Sequence, residues 1–382
     1  MLNSWFYSKV EHPALAFSEL CKKSRSTQAN AYVNGPTFFL SARYALAALL
    51  RSLRIDSSHH VLVPAYHCGS EVGVFYRFTS DIDYYGMDNK LHPQVTEIEK
   101  RVKTNTKIIL VIHYFGFATP LQELKQLCER YKIILIEDAC HLLPTAIFFQ
   151  RKSSEQGDFI LFSLKKFLPV VDGGLLYANS ALEKNALASQ KNILQEELLP
   201  CWFLIAKREA ILAALKTERS ILKAYHLWRF CCLHFMSRFR GKAVAANHNH
   251  LLALEQEDFD PGSEEYGCSD FSKAIFFSSD LEAIAKRRRE NYEFLCKNVK
   301  SKQLLLVKGE LNALDMPMLF PFFHQENSKK QHTWIHHFWK GKFNQRRDHS
   351  FTLEERFYKE LKVIPIHQDI VVNHLKAAIK EL

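Results

Sequence analysis

No stretch of this chain reaches the roughly 18 consecutive apolar residues that a membrane-spanning helix needs, so no transmembrane helix is expected. Its nine cysteines are scattered and form no C-x-x-C pair. An odd count without a disulfide framework points to reduced thiols and a cytoplasmic protein. The opening stretch MLNSWFYSKVEHPAL lacks a charged region followed by a long apolar core, so it does not read as a signal peptide. Low-complexity tracts are absent, which argues against disorder. No zinc-finger or RNP motif occurs, so no nucleic-acid partner is expected. His324, His332, His336, His337 and His349 cluster in sequence, and His332 and His336 share i,i+4 spacing. No H-E-x-x-H pattern accompanies them, so surface histidines are expected rather than a metal site.

What is present is ample material for a core. The chain has 382 residues, 47% of them hydrophobic, which is enough for two domains. A net charge of +10 permits contact with anions such as a nucleotide-linked substrate, nucleic acid or an anionic membrane surface, without choosing among them.

The most informative stretch runs from Ile133 to Tyr177. IILIEDACHLLP is an apolar, β-branched-rich run that ends in Glu137-Asp138, the pattern of a buried strand delivering a carboxylate at its C-terminal end. A second run, Phe159 to Phe162, leads into Ser163, the pair Lys165-Lys166, Asp172 and Gly173-Gly174. Ligand sites in open α/β sheets lie beyond the carboxyl ends of strands. A carboxylate, a hydroxyl and a lysine carried to one sheet edge are what pyridoxal 5′-phosphate requires: an acid for its ring nitrogen, donors for its phosphate and an amine for a Schiff base.

These motifs resemble the DegT/DnrJ/EryC1/StrS sugar aminotransferases. The matching elements are Glu137-Asp138-Ala139-Cys140-His141, Phe162-Ser163, Lys166 and Asp172-Gly173-Gly174, with Val111-Ile112-His113-Tyr114-Phe115-Gly116 upstream. The resemblance implies the α/β fold type I of pyridoxal phosphate-dependent transferases, with a large mostly parallel sheet domain and a smaller C-terminal α/β domain. It implies that Lys166 and Asp138 are catalytic, Asp138 pairing with the pyridine nitrogen. His141 would lie near the ring's phenolic oxygen and Ser163 near the phosphate. Lys166 is preferred to Lys165 because its distance to the glycine pair matches the family. The sequence departs from the pattern at three points. The serine-to-lysine spacing is shorter than in many members, Asp172 replaces the usual glutamate, and Ala42-Arg43 stand where the family has glycine and threonine.

The rest of the chain can be read in order. Ser41 is a plausible N-cap for a helix over about 43–53, whose N-terminus, at Ala42 and Arg43, could bind phosphate through backbone donors. Val61 to Pro64 reads as a strand, followed by Tyr66 and His67, either of which could stack on the cofactor ring. Further strands are expected at 82–85, 107–113 and 175–177, and helices at 92–102 and 121–131. Strand, helix, strand implies a parallel sheet. Residues 1–265 would form the cofactor domain and 266–382 the smaller one, which opens with a long helix over 269–292 and includes a strand at 363–367. Within the first, about 180–262 form a basic helical insertion. Its segment 207–242 carries nine lysines and arginines against two acids, interleaved with aromatics, and suggests peripheral membrane contact as an alternative to a solvated face.

The resemblance implies amino transfer from an amino acid, with glutamate the candidate donor, to a nucleotide-linked keto sugar in polysaccharide or glycoconjugate biosynthesis. It also implies a homodimer. Two alternatives stand beside it: a catalytically degenerate protein that binds a partner, and an aminotransferase for a non-sugar ketone.

Overall fold

The computed structural model describes residues 36–168, 170, 172–179, 267–299, 304–307, 309–324, 334–339 and 351–382. The boundary near 265, the segment 180–262 and His332 and His349 lie outside these residues.

Two sheets organise the described chain. The larger has seven strands: β1 (Thr37–Phe39), β2 (His60–Pro64), β3 (Ile82–Tyr85), β4 (Thr106–Ile112), β5 (Ile134–Asp138), β6 (Phe159–Ser163) and β7 (Gly174–Ala178). Their spatial order is β1-β7-β6-β5-β4-β2-β3. Strands β3, β2, β4, β5 and β6 pair in parallel, and β7 runs antiparallel to both of its neighbours. Both faces of a parallel sheet are covered, so its central strands read as unbroken apolar runs, as β4 does.

Helices cover those faces: α1 (Ala42–Ser52), α2 (Val72–Phe75), α3 (Val95–Glu99), α4 (Gln122–Tyr131) and α5 (Ala146–Phe149). Ala45, Ala48 and Leu49 of α1 pack with Ile136, Phe159 and Leu161 in one apolar cluster. On the other face Leu124 and Leu127 of α4 join Leu135 and Ile160 in a second.

The smaller sheet has the order β10-β11-β9-β8 and is antiparallel throughout. Its strands are β8 (Leu304–Leu306), β9 (Leu319–His324), β10 (His336–His337) and β11 (Leu361–Pro365). The helices around it are α6 (Asp270–Ser278), α7 (Leu281–Asn298), α8 (Thr352–Glu360) and α9 (Val372–Glu381).

Three expectations need correction. The long helix over 269–292 is two helices. Ser278 and Ser279 turn their hydroxyls onto the Ile275 carbonyl, and Asp280 caps α7 by accepting from Ala283 N–H at 2.9 Å. Short polar side chains that compete for backbone groups end one helix and start the next. The helix expected from His92 begins only at Val95 and ends at Glu99, because Pro93 pairs as a bridge with Met87. Ser41 precedes α1 but makes no side-chain cap bond.

The smaller sheet is fastened to the strand ends of the larger one. Met316 N–H and Met318 N–H donate to the Gly116 and Phe115 carbonyls, both at 2.7 Å. Gly116 is required there: its φ is +88°, and a Cβ would lie 2.1 Å from the Met316 carbonyl oxygen. Tyr358 of α8 accepts from His67 N–H at 2.8 Å and donates to the His67 carbonyl at 2.7 Å. Glu354 accepts from Met87 N–H. The C-terminal elements thus brace the loops that leave β2, β3 and β4, at the sheet edge where the candidate residues lie.

Candidate active site

Side chains alternate across a strand, and that fixes which residues meet. Ile136 and Asp138 of β5 stand opposite Phe159 and Leu161 of β6. Because Ile136, Phe159 and Leu161 all face α1, Asp138 and Ser163 continue that face at the strand ends. Ser163 pairs across the sheet with Gly174, and Gly174 abuts the start of α1. A Cβ on Gly174 would lie 2.1 Å from the Ser41 carbonyl carbon and 2.3 Å from the Ala42 nitrogen. The glycine therefore lets the N-terminus of α1 sit directly beside Ser163.

The Ser41 hydroxyl is buried and has no hydrogen-bond partner. A buried, unpartnered hydroxyl is costly, and one at a helix N-terminus suits an anion that is not part of the chain. Ala45 N–H to the Ser41 carbonyl, at 3.0 Å, is the first helical bond of α1, and Ala42 and Arg43 occupy its first two positions.

Asp138 is half-buried, and its Oδ1 accepts from Cys140 N–H at 2.9 Å. Lys166 lies in the single 3₁₀ turn Leu164–Lys166 that follows β6 and is half-buried, while Lys165 is exposed. The charges of Asp138 and Lys166 both act on the Cys140 thiol. Burial pushes that thiol well above its usual range, Asp138 adds to the rise and Lys166 opposes it. Lys166 also acts on Cys68, whose thiol burial and Glu71 push up to about 12. The same lysine joins burial in holding His141 well below the usual histidine range, so this imidazole is neutral. His141 Nδ1 accepts from Phe115 N–H at 3.2 Å, which leaves the proton on Nε2 as a donor.

Tyr66 and His67 have other partners. Tyr66 is fully buried, with its ring 4.8 Å from Tyr358, 5.0 Å from Trp339 and 5.5 Å from Tyr114. The His67 ring stacks on Tyr84 at 5.6 Å and 9°. Sequence reading passed over Cys68, the next residue on this loop, because a cysteine carries no signal that it faces a lysine distant in sequence.

Asp172 is tied to the smaller part of the fold. It accepts from Ser269 N–H and the Ser269 hydroxyl, both at 2.9 Å, and from the Ser272 hydroxyl. It thereby anchors the N-terminus of α6 beside the glycine pair. Glu137 was noticed only as the neighbour of Asp138. It points to the opposite face and is fully buried in a polar cluster. It accepts from His113 Nε2 at 2.7 Å, from Arg151 Nη2 at 2.9 Å and from Gly157 N–H. Burial alone would raise its pKa. Arg151 and His113 outweigh that and hold it below the usual carboxylate range.

The arrangement can hold an anion between Ser41 and Ser163, beside the Asp138 carboxylate and the Lys166 amine, whose charges both act on Cys140. Residues 37–195 match the profile of the DegT/DnrJ/EryC1/StrS aminotransferase family. Among curated proteins, GDP-perosamine synthase of Vibrio cholerae is 25% identical over 139 residues, 36% of this chain and 38% of that protein. EpsN of Bacillus subtilis (strain 168), which carries a provisional pyridoxal phosphate-dependent aminotransferase assignment, is 31% identical over 116 residues, 29% of this chain and 30% of that protein. The chain thus matches well under half the length of these relatives. Two solved structures share the fold over nearly the whole chain. Helicobacter pylori PseC, an aminotransferase in the biosynthesis of pseudoaminic acid, has a TM-score of 0.65 at 13% identity, covering 97% of this chain and 96% of its own. The aminotransferase TlmJ from Streptoalloteichus hindustanus gives 0.64 at 15% identity, with the same coverage.

Proposed function

From the match of residues 37–195 to the DegT/DnrJ/EryC1/StrS aminotransferase profile, we propose that the chain is a pyridoxal 5′-phosphate-dependent aminotransferase of that family acting on a keto sugar. The observation that carries this reading is the convergence of Asp138, Lys166, Ser163 and the unpartnered Ser41 hydroxyl at one sheet edge. These residues fit the cofactor. Ser41, Ser163 and the N-terminus of α1 would take the phosphate, the Ser41 hydroxyl gaining the partner it lacks. The Asp138 carboxylate would hold a proton on the pyridine nitrogen, and the His141 Nε2–H would donate to the phenolic oxygen.

When bound, the cofactor supplies an electron sink for chemistry at the carbon bearing the amine. Lys166 would be the residue that holds it, and its amine would serve as the general base and acid that moves a proton at the substrate carbon. The matching profile and the named activities of GDP-perosamine synthase and PseC support a keto sugar, nucleotide-linked, as acceptor, with glutamate as the first donor to test. The described cysteines are all free thiols, which supports a cytoplasmic setting. A homodimer is part of the same reading.

Purified protein should be yellow and should lose that band when an amino acid delivers its amine. A nucleotide-linked keto sugar should then restore it. A colourless chain that cannot be reconstituted would favour the rival, a binding protein without catalysis, which the replacement of glycine and threonine by Ala42-Arg43 recommends. Restoration only by non-sugar ketones would change the substrate class and leave the chemistry.

A further inference from the structure

Arg288 is a cation inside the protein with no carboxylate bonded to it among the described residues. The side chain is 1% exposed and comes from α7. Its Nε donates to Gln368 Oε1 at 3.0 Å and its Nη1 to the Met318 carbonyl at 3.2 Å, while Nη2 has no partner. Burial lowers its pKa to about 9, with Asp369 pulling the other way, so it stays charged at neutral pH. A buried, unpaired charge is costly, and its presence calls for a reason.

The reason lies in what the guanidinium covers. It sits over the Phe167 ring at 4.6 Å from the ring centroid. Gln368, which Arg288 holds by its oxygen, donates its Nε2 to the Phe167 carbonyl at 2.9 Å. Phe167 is the residue after Lys166, and its own N–H closes the lysine-bearing turn on the Leu164 carbonyl at 3.0 Å. The turn is therefore gripped at ring and carbonyl by two side chains that belong to the C-terminal part of the fold. An extended lysine is a lever: rotating its turn by about 10° moves the amine by about 1 Å, a displacement large enough to matter for reaction geometry.

We propose that Arg288 and Gln368 are positioning residues that act through Phe167 to aim Lys166. The proposal rests on the aminotransferase reading above. The test uses the full-length chain loaded with pyridoxal 5′-phosphate and two variants. Gln368→Ala removes the bond to the Phe167 carbonyl. Arg288→Lys keeps the charge and loses the flat face. Three quantities are read: the pH midpoint of the visible band of the lysine-bound cofactor, the rate at which borohydride reduces it, and Tm.

A re-aimed lysine shifts that midpoint by about half a pH unit or more, a factor of about three in the equilibrium. It also changes the reduction rate. Arg288→Lys should show the larger shift, and if it does not fold, Gln368→Ala carries the test. A lower Tm with midpoint and rate at wild-type values would make the grip purely structural and overturn the proposal. Wild-type protein that binds no cofactor would remove the aminotransferase reading, and this proposal with it. Wild-type loading with an unaltered Gln368→Ala variant removes the proposal alone.

Discussion

Glu137 and Asp138 are neighbours on β5, and they face opposite sides of the sheet. Glu137 is spent within the protein: an imidazole, a guanidinium and a backbone N–H fill its oxygens in a region with no exposure. Asp138 is half-buried, with Cys140 N–H on Oδ1, and none of the described cations is bonded to it. The contrast separates a carboxylate that holds strand ends together from one left available to a ligand. On the Glu137 face the carboxylate, Arg151 and His113 satisfy one another. On the Asp138 face the amine of Lys166, the Nε2–H of His141 and the hydroxyl of Ser41 await one.

The sharpest way to break this contrast is at Lys166. Lys166→Ala should abolish amino transfer while leaving the far-ultraviolet spectrum and Tm nearly unchanged, since the side chain is half-buried and takes part in no described salt bridge. Wild-type turnover in that variant would end the assignment. The two carboxylates should then part company. Glu137→Ala strands Arg151 beside an empty space and should cost about 3–5 kcal/mol in denaturant unfolding. Asp138→Asn should cost under about 1 kcal/mol and lower turnover by about 10²-fold or more. Equal effects of the two variants on stability would erase the distinction.

Smaller effects should follow at His141. His141→Leu removes a donor to a charged oxygen and should weaken cofactor binding by about tenfold to a hundredfold, and His141→Gln should recover part of it. The same residue sets a pH dependence. Its folded pKa lies below its unfolded value, so the unfolded chain binds more protons as pH falls through the ordinary histidine range. Its contribution to stability is full above that range and is lost on acidification, with a slope of at most about 1.4 kcal/mol per pH unit. Thermal melts of the cofactor-free protein should show such a slope, and His141→Gln should make it shallower, the remainder coming from His60 and His336, which burial also holds below the ordinary histidine value.

Much of the sheet was readable because parallel strands leave unbroken apolar runs, and β4 and β5 are such runs. The carboxylate at the end of β5 and the lysine after β6 follow from chain order alone. What could not be read depends on contacts between distant residues. The contact of the Tyr66 ring with Tyr358, almost three hundred residues away, has no local signature. Ser41 looked like a helix cap, yet whether a hydroxyl turns back to the helix is a rotamer choice that no sequence pattern records. Glu137 could have been suspected from His113, the residue just after β4, since β4 and β5 are adjacent and Val111 pairs with Glu137. The grip on Phe167 joins residues 201 positions apart and has no local signature.

The most direct test is chemical. The purified chain, equilibrated with pyridoxal 5′-phosphate, is reduced with borohydride, digested and mapped by mass spectrometry. The cofactor should be fixed to Lys166 and to no other lysine, and Asp138→Asn should still be labelled at that residue. Labelling of Lys165 instead, or scattered labelling of surface lysines, would contradict an active site at the ends of β5 and β6.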